Sequence, residues 1–519
     1  MKNIKIYFTL FLFVLFAVSC FEDDSNYEYG TAILEENSIE MDVKTNGYTW
    51  GTPIVVKPTK FKKGPYAELE TIDSTKFRWE YYLPDFAEDP SVPVCTTFTF
   101  QRELWKEGAV LSTSYSGMLR AIDSLGNKFD ASFSVKYAGY AYPTSNRWVL
   151  LAENSAGESV LHLVQGTTDT SKLVVYKDIA KVGSGPRRIY FAPNYSVFGV
   201  EEASSGLTYV HPYTYATYRT PEQFFEGGAI PAGEVLKEEL SLNGSIGLMW
   251  CQSGKVFVKI FEKKADHSKV RYSTATLKHE DGTDVDCGYI LTRYENAYVR
   301  TDLVIYDKTR KGLYHVCGKD LKHAGKVVPV LAPTSNVNLP EPNNLDGYDV
   351  LYAEMDGYYQ KYYNMILRKD GKYYYYQVTY AIADYYTSKI ARSTQIKFNE
   401  ITDYSLGFAD DVNLYDIESN PRYIYFVPDL DRKSIYYYDF NTQKVGVYMK
   451  FDGGDNITRI SFRNDNASYQ PKTYMGVAKG KEFYLLNAAD GYMSPQVAYD
   501  QKIMKKFDFD SKIVGFTFK

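Results

Sequence analysis

The chain has 519 residues, enough for two or three domains, and its 24% charged and 45% hydrophobic residues exclude wholesale disorder. Fifty tyrosines lift the aromatic share to 16%, which favours β structure because tyrosine suits pleated, half-buried surfaces. A formal net charge of −5 lacks the basic face that a nucleic-acid binder needs, so no nucleic-acid partner is expected.

The chain opens with Lys2 and Lys5, followed by a nearly unbroken apolar run over residues 6–18 and the small residues Ala17, Val18 and Ser19 before Cys20. Residues 1–19 therefore read as a signal peptide, because the run is shorter than the roughly 20 residues of a spanning helix. The spacing resembles a bacterial lipobox, in which the Cys20 thiol is acylated and begins the mature chain. Ala17 stands where leucine is usual in that pattern, and an ordinary secretory signal that merely contains a cysteine is the alternative. Acyl chains contribute roughly 0.8 kcal/mol per buried CH₂, so the expected membrane contact is the lipid anchor alone. Residues 20–30 form a tether with Glu22, Asp23 and Asp24 in a row. That cluster resembles the surface-export signal of Bacteroidetes lipoproteins, which implies an outer-membrane, surface-exposed protein. A solvated acidic linker has the same composition.

Residues 31–140 predict an Ig/PKD-like β-sandwich. Apolar or aromatic runs at 39–41, 54–56, 77–82, 97–102, 115–122 and 129–137 are separated by turn clusters such as Thr45-Asn46-Gly47 and Ser124-Leu125-Gly126-Asn127. Within Phe77-Arg78-Trp79-Glu80-Tyr81 apolar residues alternate with charges, which makes Trp79 a core anchor of a half-buried strand.

From residue 145 to 519 the pattern becomes repeated hairpins. Strand runs start at 147, 188, 245, 302, 349, 422 and 472, about 54 residues apart on average, and predict a seven-bladed β-propeller. The repeats are weakly alike, so six or eight blades remain open, and an array of sandwiches is the structural alternative. The longest gap, from 349 to 422, implies an insertion near residues 381–400. The final run at 512–518 predicts a strand that pairs with the first propeller residues and closes the ring.

Cys20, the acidic tether, the Asn26-Tyr27-Glu28-Tyr29 start and the sandwich together resemble the PKD-like surface lipoproteins of Bacteroidetes. Arg147-Trp148-Val149-Leu150-Leu151 resembles that family's entry into its second domain, with Arg147 where glycine is usual. The resemblance implies association with an outer-membrane glycan-import system and supplies no catalytic residues.

Motifs for chemistry are missing: there is no HExxH, GxSxG or Walker-type loop, and Gly183-Ser184-Gly185-Pro186 is too short for a dinucleotide fingerprint. Cys95, Cys251, Cys287 and Cys317 show no zinc spacing; buried free thiols are expected, although an exported compartment permits disulfides. His315 and Cys317 lie at i and i+2, which makes them neighbours on one strand face rather than a nucleophile pair. Asp281, Asp284 and Asp286 offer hard oxygen ligands for Ca²⁺ without an EF-hand frame, so solvated turns are favoured and no cofactor is expected.

The tyrosines concentrate at Tyr358, Tyr359, Tyr362, Tyr363 and Tyr373 to Tyr376. Adjacent strand residues face opposite sides, so both faces of this blade carry phenol rings. Either the rings pack between blades, or some are exposed as platforms for sugar rings; Tyr358, Tyr359, Tyr362, Tyr363, Tyr373 and Tyr375 are the candidate ligand contacts. The expected function is noncatalytic recognition of a glycan or glycoconjugate. The alternatives are a glycoside hydrolase or lyase with acidic residues in the propeller channel, and a structural adaptor of an outer-membrane transporter.

Overall fold

The structure is a computed structural model. It describes residues 38–44, 46–50, 52–62, 64–87, 89–102, 114–165, 173–192, 197–203, 206–219, 223–228, 235–240, 245–251, 253–262, 270–291, 303–318, 321–335, 338–355, 362–379, 383–384, 390–417, 422–462 and 474–519. Cys20, the acidic tether, Tyr358 and Tyr359 lie outside the described residues. The chain divides into two compact units, residues 1–142 and 143–519, and both are built from strands. Among the described residues no helix is long and apolar enough to cross a membrane.

The first unit is a sandwich of two sheets. One holds Ile39–Asp42, Ile54–Phe61 and Phe100–Arg102; the other holds Tyr48–Trp50, Lys128–Tyr140, Ser114–Asp123 and Phe77–Tyr82. Burial alternates residue by residue along residues 54–59 and Ser114–Asp123, as one-sided burial of a pleated strand demands. Their inward residues meet in one core around Trp79, whose indole nitrogen donates to the Ser74 carbonyl at 3.0 Å. The short strand Tyr48–Trp50, which runs parallel to Lys128–Tyr140, has no counterpart among the sequence-based strands.

The second unit contains seven sheets among the described residues. Blade 1 is Lys512–Phe518, Arg147–Glu153, Glu158–Gln165 and Val175–Ser184; blade 2 is Pro186–Ala192, Val197–Glu202, Gly206–Val210 and Thr217–Arg219. Blade 3 is Val235–Leu240, Ile246–Cys251 and Val256–Ile260; blade 4 begins Cys287–Ile290, Leu303–Asp307, Gly312–Val316 and Val327–Leu331. Blade 5 is Asp349–Met355, Tyr362–Lys369, Lys372–Thr379 and Ile396–Ile401; blade 6 is Tyr415–Ile417, Tyr423–Phe426, Ser434–Asp439 and Lys444–Lys450. Blade 7 is Ile457–Phe462, Tyr474–Lys479, Glu482–Asn487 and Ile503–Asp508.

Shared apolar clusters join these sheets in a ring. One cluster links blades 5, 6 and 7; others link 4 with 5, 3 with 4, 7 with 1, and 2 with 3. Blades 1 and 2 meet where Lys512–Phe518 runs beside Pro186–Ala192, so the circle is complete and the fold is a seven-bladed propeller. The second strand of each blade is sandwiched between neighbouring blades, which is why Ile246–Cys251, Leu303–Asp307 and Tyr423–Phe426 are buried on both faces and read as unbroken apolar runs.

The closing strand behaves as expected from the sequence. Phe516 pairs with Leu150 and Phe518 with Trp148, and the Trp148 ring meets Phe516, Phe518 and Phe483 of blade 7 at 5.0–5.6 Å. Gly476 makes room for this cluster: a Cβ there would lie 2.8 Å from Phe516 and 2.9 Å from Trp148.

The segment near residues 381–400 is an insertion of a specific kind. It leaves blade 5 after Lys372–Thr379, adds Ala383–Asp384 and Ile390–Arg392 to the outer edge of blade 4, and returns to blade 5 at Ile396–Ile401. Blade 4 thereby becomes a six-stranded sheet.

Candidate functional site

The first strand of every blade lies next to the propeller axis and runs antiparallel to the second, so all seven begin at the same mouth of the channel. Charged side chains meet at that mouth. Arg188 comes from the first strand of blade 2 and Arg459 from that of blade 7, and both are half-buried. Arg459 donates from Nη1 to Asn413 Oδ1 at 2.9 Å, and its guanidinium carbon lies 5.5 Å from the centre of the Phe516 ring. Its Nε is buried with no hydrogen-bond partner. Burial, reinforced by the neighbouring Arg188 guanidinium, pulls Arg459 down to about 10, against the opposing pull of Asp416, Asp411 and Glu201.

Behind Arg188 stands Glu201, its direct partner across the ladder in the second strand of blade 2. Glu201 is 2% exposed, and its Oε1 has no hydrogen-bond partner. Desolvation pushes its carboxyl up to about 8, although Arg188, Arg187 and Arg459 act in the other direction. Glu201 is thus a buried carboxyl that holds its proton near neutrality beside three arginines.

Acidic groups occupy the blade 6 side. Asp411 caps the short 3₁₀ turn Val412–Leu414 by accepting from the Asn413 amide at 3.0 Å. Asp416 accepts from the amides of Ile417 at 2.8 Å and Phe462 at 2.6 Å, and so ties the first strands of blades 6 and 7 together. Tyr289, on the first strand of blade 4, donates its hydroxyl to the Leu351 carbonyl at 2.8 Å. Burial raises its phenol, and Asp410 and Asp411 add to the effect. The mouth thus presents guanidinium donors on one side and carboxylate and amide acceptors on the other.

The tyrosine cluster is placed differently from its expected role. Tyr363 and Tyr375 are fully buried, the first in the core between blades 4 and 5 and the second in that between blades 5 and 6. Tyr375 donates to Asn364 Oδ1 at 2.8 Å and stacks on Phe440 at 4.8 Å. These two are corrected from ligand contacts to packing residues, because a ring enclosed on both faces has none left for a sugar. Tyr373 is half-buried against Phe408 at 5.0 Å, and Tyr362 is half-buried at the start of its strand. Tyr374 and Tyr376 face the other way, with Tyr374 stacked 5.0 Å from Phe398 and Tyr376 donating to the Pro340 carbonyl. Both faces of the blade carry phenols because both face another blade.

The three aspartates do not converge. Asp281 is held by Thr283 and Arg310, Asp284 by Thr276 and Lys278, and Asp286 by Lys308 and Thr309. Each carboxylate has its own cation, and no cluster of metal-ligating side chains occurs among the described residues.

Cys95, Cys251, Cys287 and Cys317 are buried free thiols. His279 and Asp307 form a buried pair at 2.8 Å, with the Tyr314 ring 4.8 Å from the imidazole. Burial would raise Asp307, but hydrogen bonds from His279 and from the amides of Arg310 and Asp286 hold it below the ordinary carboxylate range. Cys287 lies close by, yet burial and the Asp307 carboxylate push its thiol up, the reverse of what a nucleophilic thiolate requires. The pair is a structural tie between a hairpin and blade 4.

Two solved structures resemble the chain. One is dihydro-heme d1 dehydrogenase NirN in complex with DHE, at 10% identity over 73% of this chain and 76% of that one, with a TM-score of 0.42. The other is a putative 6-phosphogluconolactonase from Bacteroides fragilis, at 10% identity over 73% of this chain and 99% of that one, with a TM-score of 0.43. No family model and no curated protein matches the chain.

Proposed function

We propose that this chain is a noncatalytic recognition protein, held at the outer-membrane surface by a lipid on Cys20, that binds a glycan or glycoconjugate at the propeller mouth. The observation that carries the reading is Arg459: a planar cation steadied by Asn413 and Phe516, with one buried donor unpartnered and a second guanidinium, Arg188, as neighbour. Planar, multidentate donors suit vicinal hydroxyls and carboxylates, and the acceptors Asp411 and Asn413 suit sugar hydroxyls. The sandwich serves as a spacer, and the PKD-like resemblance of the tether and sandwich supports a place beside a glycan-import transporter.

Two measurements test this. The Cys20→Ser chain is expected to leave the membrane fraction. On a glycan array, the full chain in detergent is expected to retain a defined class of glycan, and Arg459→Gln to weaken that binding at least tenfold, about 1.4 kcal/mol, with the melting curve preserved. A folded protein that retains no glycan while co-purifying with an outer-membrane partner selects the adaptor role instead.

Glu201 favours a second reading. A carboxyl that keeps its proton near neutrality is the equipment of a general acid, and Asp411 and Asp416 place further carboxyl groups on the blade 6 side. Turnover of a polysaccharide that disappears in Glu201→Gln would select a glycan-degrading enzyme.

A further inference from the structure

Among the described residues, the seam that closes the propeller holds two desolvated cationic side chains and no side-chain counter-ion. Arg147 opens the second strand of blade 1, and Lys519 follows the closing strand. The two residues exchange backbone hydrogen bonds at 2.8 and 2.9 Å, so they are directly opposed and their side chains leave the sheet on the same face. Like charges in that position repel, and here both are desolvated. Arg147 is 0% exposed; its Nε donates to the Tyr215 hydroxyl at 2.8 Å and its Nη2 to the Pro212 carbonyl. Its remaining nitrogen, Nη1, is buried without a partner, and so is Nζ of Lys519.

Aromatic rings from blade 2 enclose the pair. The Arg147 guanidinium lies 5.8–5.9 Å from Phe198, Tyr213 and Tyr215, and the Lys519 ammonium lies 4.4 Å from Tyr213 and 4.8 Å from Phe191. Besides the phenols of Tyr213 and Tyr215, the described residues place in this surround His211, which burial and the Lys519 charge hold down to about 4, hence neutral. Among the described residues no side-chain carboxylate opposes the desolvation of either cation: the phenols of Tyr215 and Tyr213 support the Arg147 charge, and burial together with Arg147 pushes Lys519 down to about 7. Ring faces attract cations, but they are weaker acceptors for the two free N–H groups than an anion would be.

We propose that this seam is an anion site, in which a small anion, chloride or a carboxylate group, bridges Arg147 Nη1 and Lys519 Nζ and locks the closing strand to blade 2. The anion satisfies both orphan donors and offsets the repulsion between them. It binds only when Lys512–Phe518 is docked, so by mass action it stabilises the closed ring.

Thermal unfolding of the full chain in detergent, at fixed pH and ionic strength, tests the site. Chloride and acetate in place of the bulky anion gluconate are expected to raise the melting temperature of the propeller by about 2–4 °C. Lys519→Met keeps the stem over Tyr213 but removes the charge, and is expected to abolish the difference; Lys519→Arg is expected to keep it. Identical melting of the unaltered chain in all three salts overturns the proposal without reference to any variant. So does an unchanged salt response in Lys519→Met. A third overturning result is stability in gluconate that climbs between pH 7 and 10 with no chloride effect at any pH, since deprotonation of Lys519 would then relieve the repulsion alone.

Discussion

A chain lacking residues 512–519 is expected to lose the cooperative unfolding transition of the propeller, while the sandwich of residues 38–142 keeps its own. The strand supplies Ile513, Phe516 and Phe518, each at most 2% exposed, and burial of such side chains contributes roughly 1.5–3 kcal/mol apiece. The sum, about 5–9 kcal/mol, is comparable with the whole stability of a typical domain, roughly 5–15 kcal/mol. Its removal also bares the Arg147–Glu153 ladder edge and loosens blade 1 from blade 7, which it meets in the core around Phe516 and Trp148, and from blade 2, where the strand runs beside Pro186–Ala192. Trp148→Ala tests the same seam more gently and is expected to cost about 3–5 kcal/mol. Urea denaturation followed by tryptophan fluorescence and circular dichroism separates the outcomes. A truncated chain with its propeller transition intact would show that the ring is held by the remaining five interfaces and that closure adds little.

The sequence carried the fold to the extent that strands are buried on both faces. Ile246–Cys251, Leu303–Asp307, Tyr423–Phe426 and Tyr474–Lys479 are second strands, sandwiched between blades, and their continuous apolar runs gave the starts at 245, 302, 422 and 472. The first strands of those blades are shorter or carry charges, as in Val235–Leu240, Cys287–Ile290 and Tyr415–Ile417, and they escaped notice. At 188 and 349 the detected run was a first strand, so two positions within the repeat were mixed. That mixture, with the blade 5 insertion, produced the uneven spacing; second strands taken alone recur more regularly, about every 50–60 residues.

The channel mouth was not legible in the same way. Arg188, Glu201, Asn413 and Arg459 come from three blades, and no spacing in the chain relates them. The available signal was a charge inside a run that must be buried: Glu201 follows Val197-Phe198-Gly199-Val200, and Arg459 sits between Thr458 and Ile460 in a first strand. Such a charge is costly unless paired or neutralised, which marks it as a group with a task. The tyrosines pointed the other way. Their density suggested a ligand surface, but a blade needs large side chains on both faces to fill the wedge on either side, and Tyr363, Tyr375 and Tyr376 serve that need.

Glu201→Gln is expected to abolish the pH dependence that this carboxyl imposes. Its folded-state value, about 8, stands above the ordinary 4.5, so between these pH values the folded chain keeps a proton that the unfolded chain has released. The stability tied to that proton is fully present below pH 4.5, declines as pH rises and is lost by about pH 8. Each unit of the displacement corresponds to about 1.4 kcal/mol, so the loss across the range is on the order of a few kcal/mol. Glutamine has the same shape and no titration. Its urea midpoint is therefore expected to be flat from pH 5.5 to 8.5, near the parent's at the acid end and above it at the alkaline end. Arg188, Arg187 and Arg459 supply the rival outcome. If their charges ionise Glu201 at neutral pH, the substitution breaks a buried ion pair, and the variant falls below the parent at pH 7 by about 3–5 kcal/mol. The sign of one difference at pH 7–8.5 thus decides whether the mouth carries a proton donor or a salt bridge. That in turn decides between the two readings of the site: a neutral Glu201 can donate to a leaving oxygen, whereas an ionised one only anchors the arginines that hold a ligand.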